Sequence, residues 1–171
     1  MRKIVAIVIM VIVAGGYVWS IRNQDDPVQN KETMIQGLEG VEHILAKGYP
    51  STPEKVIETY NQIMLYQYGE GAVQEELSKS VSIARKLYHE EMLQLNTEEA
   101  QVEALQAEVE KNKAAEQFLL SSVVQHTTML DEETAEVQVE HIMTTGYLQR
   151  TYFLVKQEGA WKVHSWSEGW N

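Results

Sequence analysis

The chain has 171 residues, enough for one domain with a buried core and too few for two comfortable ones. Its formal net charge of −11 repels phosphate backbones and anionic headgroups, which argues against nucleic acid as a partner. No cysteine is present, so disulfides, thiolate nucleophiles, cysteine-ligated zinc or iron–sulfur sites and a cysteine-linked lipid are excluded.

The N-terminus pairs a basic start, Arg2-Lys3, with an apolar run interrupted only by Gly15 and Gly16. Residues 4–21 give about 27 Å of helix, close to the thickness of a bilayer's hydrocarbon core. Tyr17 and Trp19 stand where interfacial aromatics belong, and the basic start favours a cytoplasmic N-terminus. Residues 1–22 therefore read as a single-pass transmembrane signal-anchor in the cell membrane, with the rest of the chain outside. The alternative is secretion after cleavage: Ile4 to Val13 would be the apolar region of a signal peptide, with Ala14 and Gly16 at the cleavage positions. Both readings place the body of the chain outside.

Residues 23–47 read as a linker with a weak amphipathic helix. The stretch Asn23 to Thr33 is polar, and then Met34, Leu38, Val41 and Leu45 recur at helical spacing, weakened by Gly37 and Gly40. Gly48-Tyr49-Pro50 ends that helix, and Ser51-Thr52-Pro53-Glu54 starts another, with a hydroxyl cap, a first-turn proline and an acid at the positive helix end. Its stripe is Val56, Tyr60, Ile63 and Met64, with Ile57 beside it. A second helix is expected from about Val73 to Leu95 on Leu77, Val81, Ala84, Leu87 and Tyr88. A third opens at Asn96-Thr97-Glu98-Glu99, and its Val102, Leu105 and Val109 form a thin stripe opposite a solvated acidic face.

From Gln117 the period changes. Phe118 to Thr128 is rich in β-branched residues, and Ala135, Val137, Val139, His141 and Met143 alternate with Glu136, Gln138 and Glu140. Gly146 and Gly159 punctuate two further runs, Tyr147 to Gln157 and Trp161 to Glu168. Helices followed by four consecutive strands predict an α+β domain over residues 48–171, with the helices packed on one face of a curved four-stranded antiparallel sheet.

That order, closing on Gln157-Glu158-Gly159-Ala160-Trp161-Lys162-Val163-His164-Ser165-Trp166, resembles the cone-shaped nuclear transport factor 2-like superfamily. Tyr49-Pro50-Ser51-Thr52-Pro53-Glu54-Lys55-Val56, Arg85-Lys86-Leu87-Tyr88 and Glu91-Met92-Leu93-Gln94-Leu95-Asn96 are similar to a family of membrane-anchored clostridial proteins of unknown function. The resemblance covers about residues 48 to 168. It implies a fold and membrane attachment and brings no catalytic residues, because that family has none assigned and the superfamily hosts enzymes, binding modules and structural domains alike.

Candidate site residues are weighed on their surroundings. His126, His141 and His164 fall on strands and are the residues from which a metal site would be assembled, but they lack any local ligand spacing. His89-Glu90-Glu91 opens like a metalloprotease helix, yet the second histidine would have to stand at residue 93, which is Leu93. His141 shares a face with Val137, Val139 and Met143, which predicts a core histidine bonded to a tyrosine; as a catalytic base it would need a facing carboxylate, or His164 would need Tyr152. Trp166 and Trp170 are expected opposite Trp161 and Val163 on the last strand, forming an interaction patch if that face is open. Hydroxyl nucleophile motifs, phosphate-binding glycine loops and dinucleotide fingerprints are absent, so no catalytic residue, metal or cofactor is assigned.

The leading expectation is a non-enzymatic, membrane-anchored extracytoplasmic domain that binds an envelope protein or a small ligand, through some of His141, Tyr152, His164, Trp166 and Trp170. The alternatives are a small pocket enzyme using histidine acid–base chemistry, and a structural or assembly subunit of an envelope complex.

Overall fold

A computed structural model describes residues 27–169, with side chains from Gly37 onward. The predicted membrane segment, residues 4–21, and Trp170 lie outside the described residues. Among the described residues, no helix is long and apolar enough to cross a membrane.

The elements run α1 (Pro27–Lys47), α2 (Pro53–Tyr68), a 3-10 turn (Gln74–Glu76), α3 (Leu77–Arg85), α4 (Glu90–Leu95), α5 (Glu98–Ala114), then β1 (Leu119–Met129), β2 (Thr134–Met143), β3 (Gly146–Gln157) and β4 (Ala160–Gly169). The strands form one antiparallel sheet in the order β1-β2-β3-β4. This is the α+β class, and three of its connections are set by local chemistry. Between β1 and β2, Asp131 Oδ1 accepts from the backbone N–H groups of Glu133 and Thr134, both at 2.7 Å. Between β3 and β4, Glu158 and Gly159 both have positive φ (52° and 79°), the backbone that a two-residue hairpin turn requires. Thr52 caps α2 by accepting from the N–H of Lys55 at 3.3 Å, with Pro53 in the first turn, as the sequence predicts.

Helix α2 is the hub. Val56, Ile57, Tyr60, Ile63 and Met64 are all buried, against the inner, helix-covered face of the sheet: Ala135, Val137 and Val139 of β2, Tyr152 and Leu154 of β3, and Trp161 and Val163 of β4. A second, smaller cluster of Leu77, Val81, Leu105 and Val109 joins α3 to α5.

Two expectations are corrected. The polar stretch read as linker, up to Thr33, is helical from Pro27, while Leu38 and Val41 of the expected amphipathic stripe are buried in the main core, so α1 is packed against the domain. The helix expected from Val73 to Leu95 is broken between Arg85 and Glu90. There the backbone leaves the helix to pair with β4: Val163 N–H donates to the Leu87 carbonyl and His89 N–H donates to the Val163 carbonyl, both at 2.8 Å. Two sheet bonds and the burial of Leu87 and Tyr88 outweigh the helical bonds given up. Arg85 ties the break to α5, donating to Gln101 Oε1 at 2.9 Å and to the Asn96 carbonyl at 3.2 Å.

A third correction concerns phase. Phe153 pairs with Ser165 while the next residue, Leu154, pairs with Val163, so His164 is an extra residue in β4. This bulge resets the alternation. Trp166, expected opposite Trp161, pairs with Tyr152 and lies on the same inner face, its ring 6.3 Å from that of Tyr152.

Candidate functional site

Alternation places Leu148, Arg150, Tyr152 and Leu154 on the inner face of β3, and Arg150 is the charged residue among them. Its guanidinium lies 5.6 Å from the centre of the Trp166 ring and pairs with the carboxylate of Glu168, the residue opposite it on β4. Burial pulls the proton affinity of Arg150 down, but Tyr152 and Glu168 push it up by more, so it stays charged. The guanidinium also reaches Tyr152 Oη at 3.5 Å and Met64 Sδ at 3.8 Å.

Beneath Arg150 lies a polar column. Tyr152 Oη is 3.2 Å from His141 Nε2 and 3.2 Å from Met64 Sδ, and His141 Nδ1 is 2.7 Å from Ser122 Oγ. With Arg150 donating to Tyr152 Oη, the phenol is free to donate to Nε2, and His141 Nδ1–H donates to Ser122; this tautomer satisfies the whole chain. Burial, reinforced by the positive charge of Arg150, lowers the pKa of His141 to about 4. At neutral pH it is an uncharged imidazole with both nitrogens engaged. Its neighbours are a serine and a tyrosine, so the facing carboxylate that general-base chemistry would need is missing from its bonded partners.

Above Arg150 the molecule opens. A cleft of about 430 Å³ lies between α2, α5 and the inner ends of β3 and β4. Tyr60, Tyr88, Met92 and Trp166 contribute apolar wall, and Gln101, Glu108, Arg150 and Glu168 contribute polar groups. Tyr60 and Tyr88 share a hydroxyl–hydroxyl bond of 3.0 Å, and Gln101 Nε2 donates to Tyr88 Oη at 3.5 Å. Tyr68 donates to Glu108 Oε2 at 2.8 Å. Burial raises Tyr60 and Tyr68 well above the ordinary phenol value and Tyr88 to about 12, so these hydroxyls act as neutral hydrogen-bonding groups. A smaller cleft of about 160 Å³ continues past Arg150 toward Leu119 and Met143, with His141 at its floor.

The predicted site residues separate accordingly. His141 and Tyr152 are bonded to each other and Trp166 packs on Tyr152, so these three belong to one assembly. His164 belongs elsewhere: as the bulged residue of the edge strand, it meets Glu91 of α4, Nε2 to Oε2 at 2.9 Å, and makes no bond to Tyr152 among the described residues. The three strand histidines do not converge. His126 pairs with Gln138 on the outer phase of β1, and two strands separate β1 from β4, about 14 Å of sheet. Sequence reasoning missed Arg150, Glu168, Glu108 and Gln101. For Arg150 a signal existed: a basic residue two positions from Leu148 and from Tyr152 in a period-two run marks a charge on the buried phase.

The model of a family described as "Domain of unknown function (DUF6715)" matches residues 1–166. No curated protein matches the chain. Among solved structures it is similar to a DUF4783 family protein from Bacteroides ovatus, at 18% identity over 42% of this chain and 59% of that one, with a TM-score of 0.33. The chain thus aligns with less than two thirds of that relative. It is also similar to the intermembrane space region of the chloroplast protein ARC6, at 13% identity over 67% of this chain and 92% of that one, with a TM-score of 0.37.

Proposed function

The chain belongs to this family of unknown function, and on that premise we propose that it is a membrane-tethered, extracytoplasmic binding module whose cleft holds a small ligand. The carrying observation is the cleft itself: about 430 Å³, within the range of small-molecule sites, with an aromatic wall and a few convergent polar groups. Its charge balance suggests the ligand class. Arg150 is matched by Glu168, and Glu108 adds a second carboxylate, so an anion meets net repulsion while an uncharged or singly cationic amphiphile does not. Tyr60, Tyr88 and Trp166 would receive its apolar part, and Gln101 and Glu108 its donors.

The tether rests on Arg2-Lys3 and the apolar residues 4–21, and the cone-like fold on the resemblance to nuclear transport factor 2-like domains. Acid–base catalysis draws no support from His141, which is neutral, bonded at both nitrogens and 1% exposed.

Native mass spectrometry of the full chain, gently extracted from its own membranes, tests this reading. A retained small-molecule mass that disappears in a folded Glu108→Gln, Gln101→Leu double variant is the expected result. A folded chain that emerges bare, or one that retains only a protein partner, would overturn it; the second outcome would favour the assembly role.

A further inference from the structure

At the edge of the sheet remote from His126, two histidines and a carboxylate converge from the start of α4 and from β4. His89 precedes α4, Glu91 lies in its first turn, and His164 is the extra residue of the β4 bulge. One ligand atom from each lies within 4.8 Å of the others, and the closest pair, His164 Nε2 and Glu91 Oε2, is 2.9 Å apart. The rings of His89 and His164 are 5.3 Å apart. We propose that His89, Glu91 and His164 form a site for a zinc-class divalent ion, with a fourth position open to water.

Several features support it. Ligands of a tetrahedral zinc with bonds of about 2.0–2.1 Å stand about 3.3 Å from one another, so the His164–Glu91 pair is already in range. The remaining closure, about 1.5 Å at most, needs only rotation of partly exposed side chains. Their backbones are held: the bonds linking Leu87 and His89 to Val163 pin the approach of α4 to β4 on either side of the junction. A bulge re-aims the side chain it inserts, and without the extra residue position 164 would keep the alternation of the strand. Two imidazoles and one carboxylate suit zinc-type ions better than calcium or magnesium, which prefer an all-oxygen shell.

The second shell is also present. Ser165 Oγ lies 3.4 Å from His164 Nδ1, placed to accept that nitrogen's proton when Nε2 binds the ion. Two bonds are given up: the one between His164 Nε2 and Glu91 Oε2, whose atoms both turn to the ion, and a helix-cap bond. His89 Nδ1 accepts from the N–H of Glu91 at 3.3 Å, and ligation through either ring nitrogen removes that lone pair from the cap. The carboxylate and the −11 charge of the chain both favour a cation.

Titration of the full chain with Zn²⁺ against a chromophoric chelator tests the site, with Co²⁺ absorption reporting the ligand field. The expected result is one ion per chain, at least a tenfold loss of affinity in His164→Gln and in His89→Gln, and unchanged affinity in His126→Gln and His43→Gln. Melting curves should show a zinc-dependent rise in Tm that the first two variants abolish, His164→Gln from the parent's metal-free Tm and His89→Gln from a slightly lower one, since it also loses the cap of α4. Equal affinity in the parent, His89→Gln and His164→Gln, or no binding to the parent below millimolar zinc, would overturn the proposal.

Discussion

His141 and His164 stand on the same sheet with one strand between them, and the molecule uses them in opposite ways. His141 is enclosed between Ser122 and Tyr152, below Arg150, with both nitrogens spoken for. His164 sits on the edge strand with its ring half in solvent, paired to a carboxylate that is itself largely exposed. The difference lies in what surrounds an identical imidazole. Desolvation and a half-buried guanidinium make the first a neutral structural bond-maker, while solvent leaves the second free to exchange partners.

The contrast predicts a graded series of effects, and the column should respond most. Tyr152→Ala removes a fully buried phenol that touches Tyr60, His141 and Trp166, and should cost about 3–5 kcal/mol in chemical denaturation. A loss below about 1 kcal/mol would mean that the column does not hold the inner face together. Acidification comes next. His141 sits below its ordinary value when folded, so its contribution is intact above about pH 6.5, where the unfolded imidazole is also neutral. It is lost progressively as pH falls from there toward about 4, because the unfolded chain takes up a proton that the folded chain refuses. The full loss is roughly 3 kcal/mol. Stability measured against pH should therefore fall less steeply across this window in His141→Gln than in the parent; parallel curves would place His141 in a wetter environment.

Tyr152→Phe is the finer probe of the same column. It keeps the ring but strands His141 Nε2, and should cost about 1–3 kcal/mol by denaturant titration. At the edge, His164→Gln in metal-free buffer should change stability by under about 1 kcal/mol, since an ion pair with this much solvent contributes little. A larger loss would show that the bulge needs its histidine for folding, erasing the distinction between the two regions.

Where local chemistry dictates conformation, the chain was readable before folding. The Thr52-Pro53 cap, the Asn96-Thr97 start of α5 and the Glu158-Gly159 turn each depend on residues within a few positions of one another. The period-two run from Ala135 to His141 likewise identified its own buried face, because β2 runs through this stretch without a bulge of its own. Beside the cleft, the tyrosines of α2 could be assigned to the core, but not the fact that the Tyr60 hydroxyl bonds that of Tyr88.

Three features were out of reach for one physical reason: each depends on a partner distant in sequence. The break after Arg85 exists because Val163 offers backbone groups that a continuing helix would forgo. The bulge at His164 is a mismatch in count between β3 and β4, invisible in either strand alone, and it decides that Trp166 faces inward and that His164 meets Glu91. Arg150 could be placed on its strand face from its neighbours, but its role rests on Glu168, which the register of β4 sets opposite it. Composition, caps and alternation determine which elements form and which side of each is buried, since those choices are made over a few residues. Pairing register and bulges determine which polar side chains meet, because those choices are settled only when strands and helices far apart in the chain are packed together.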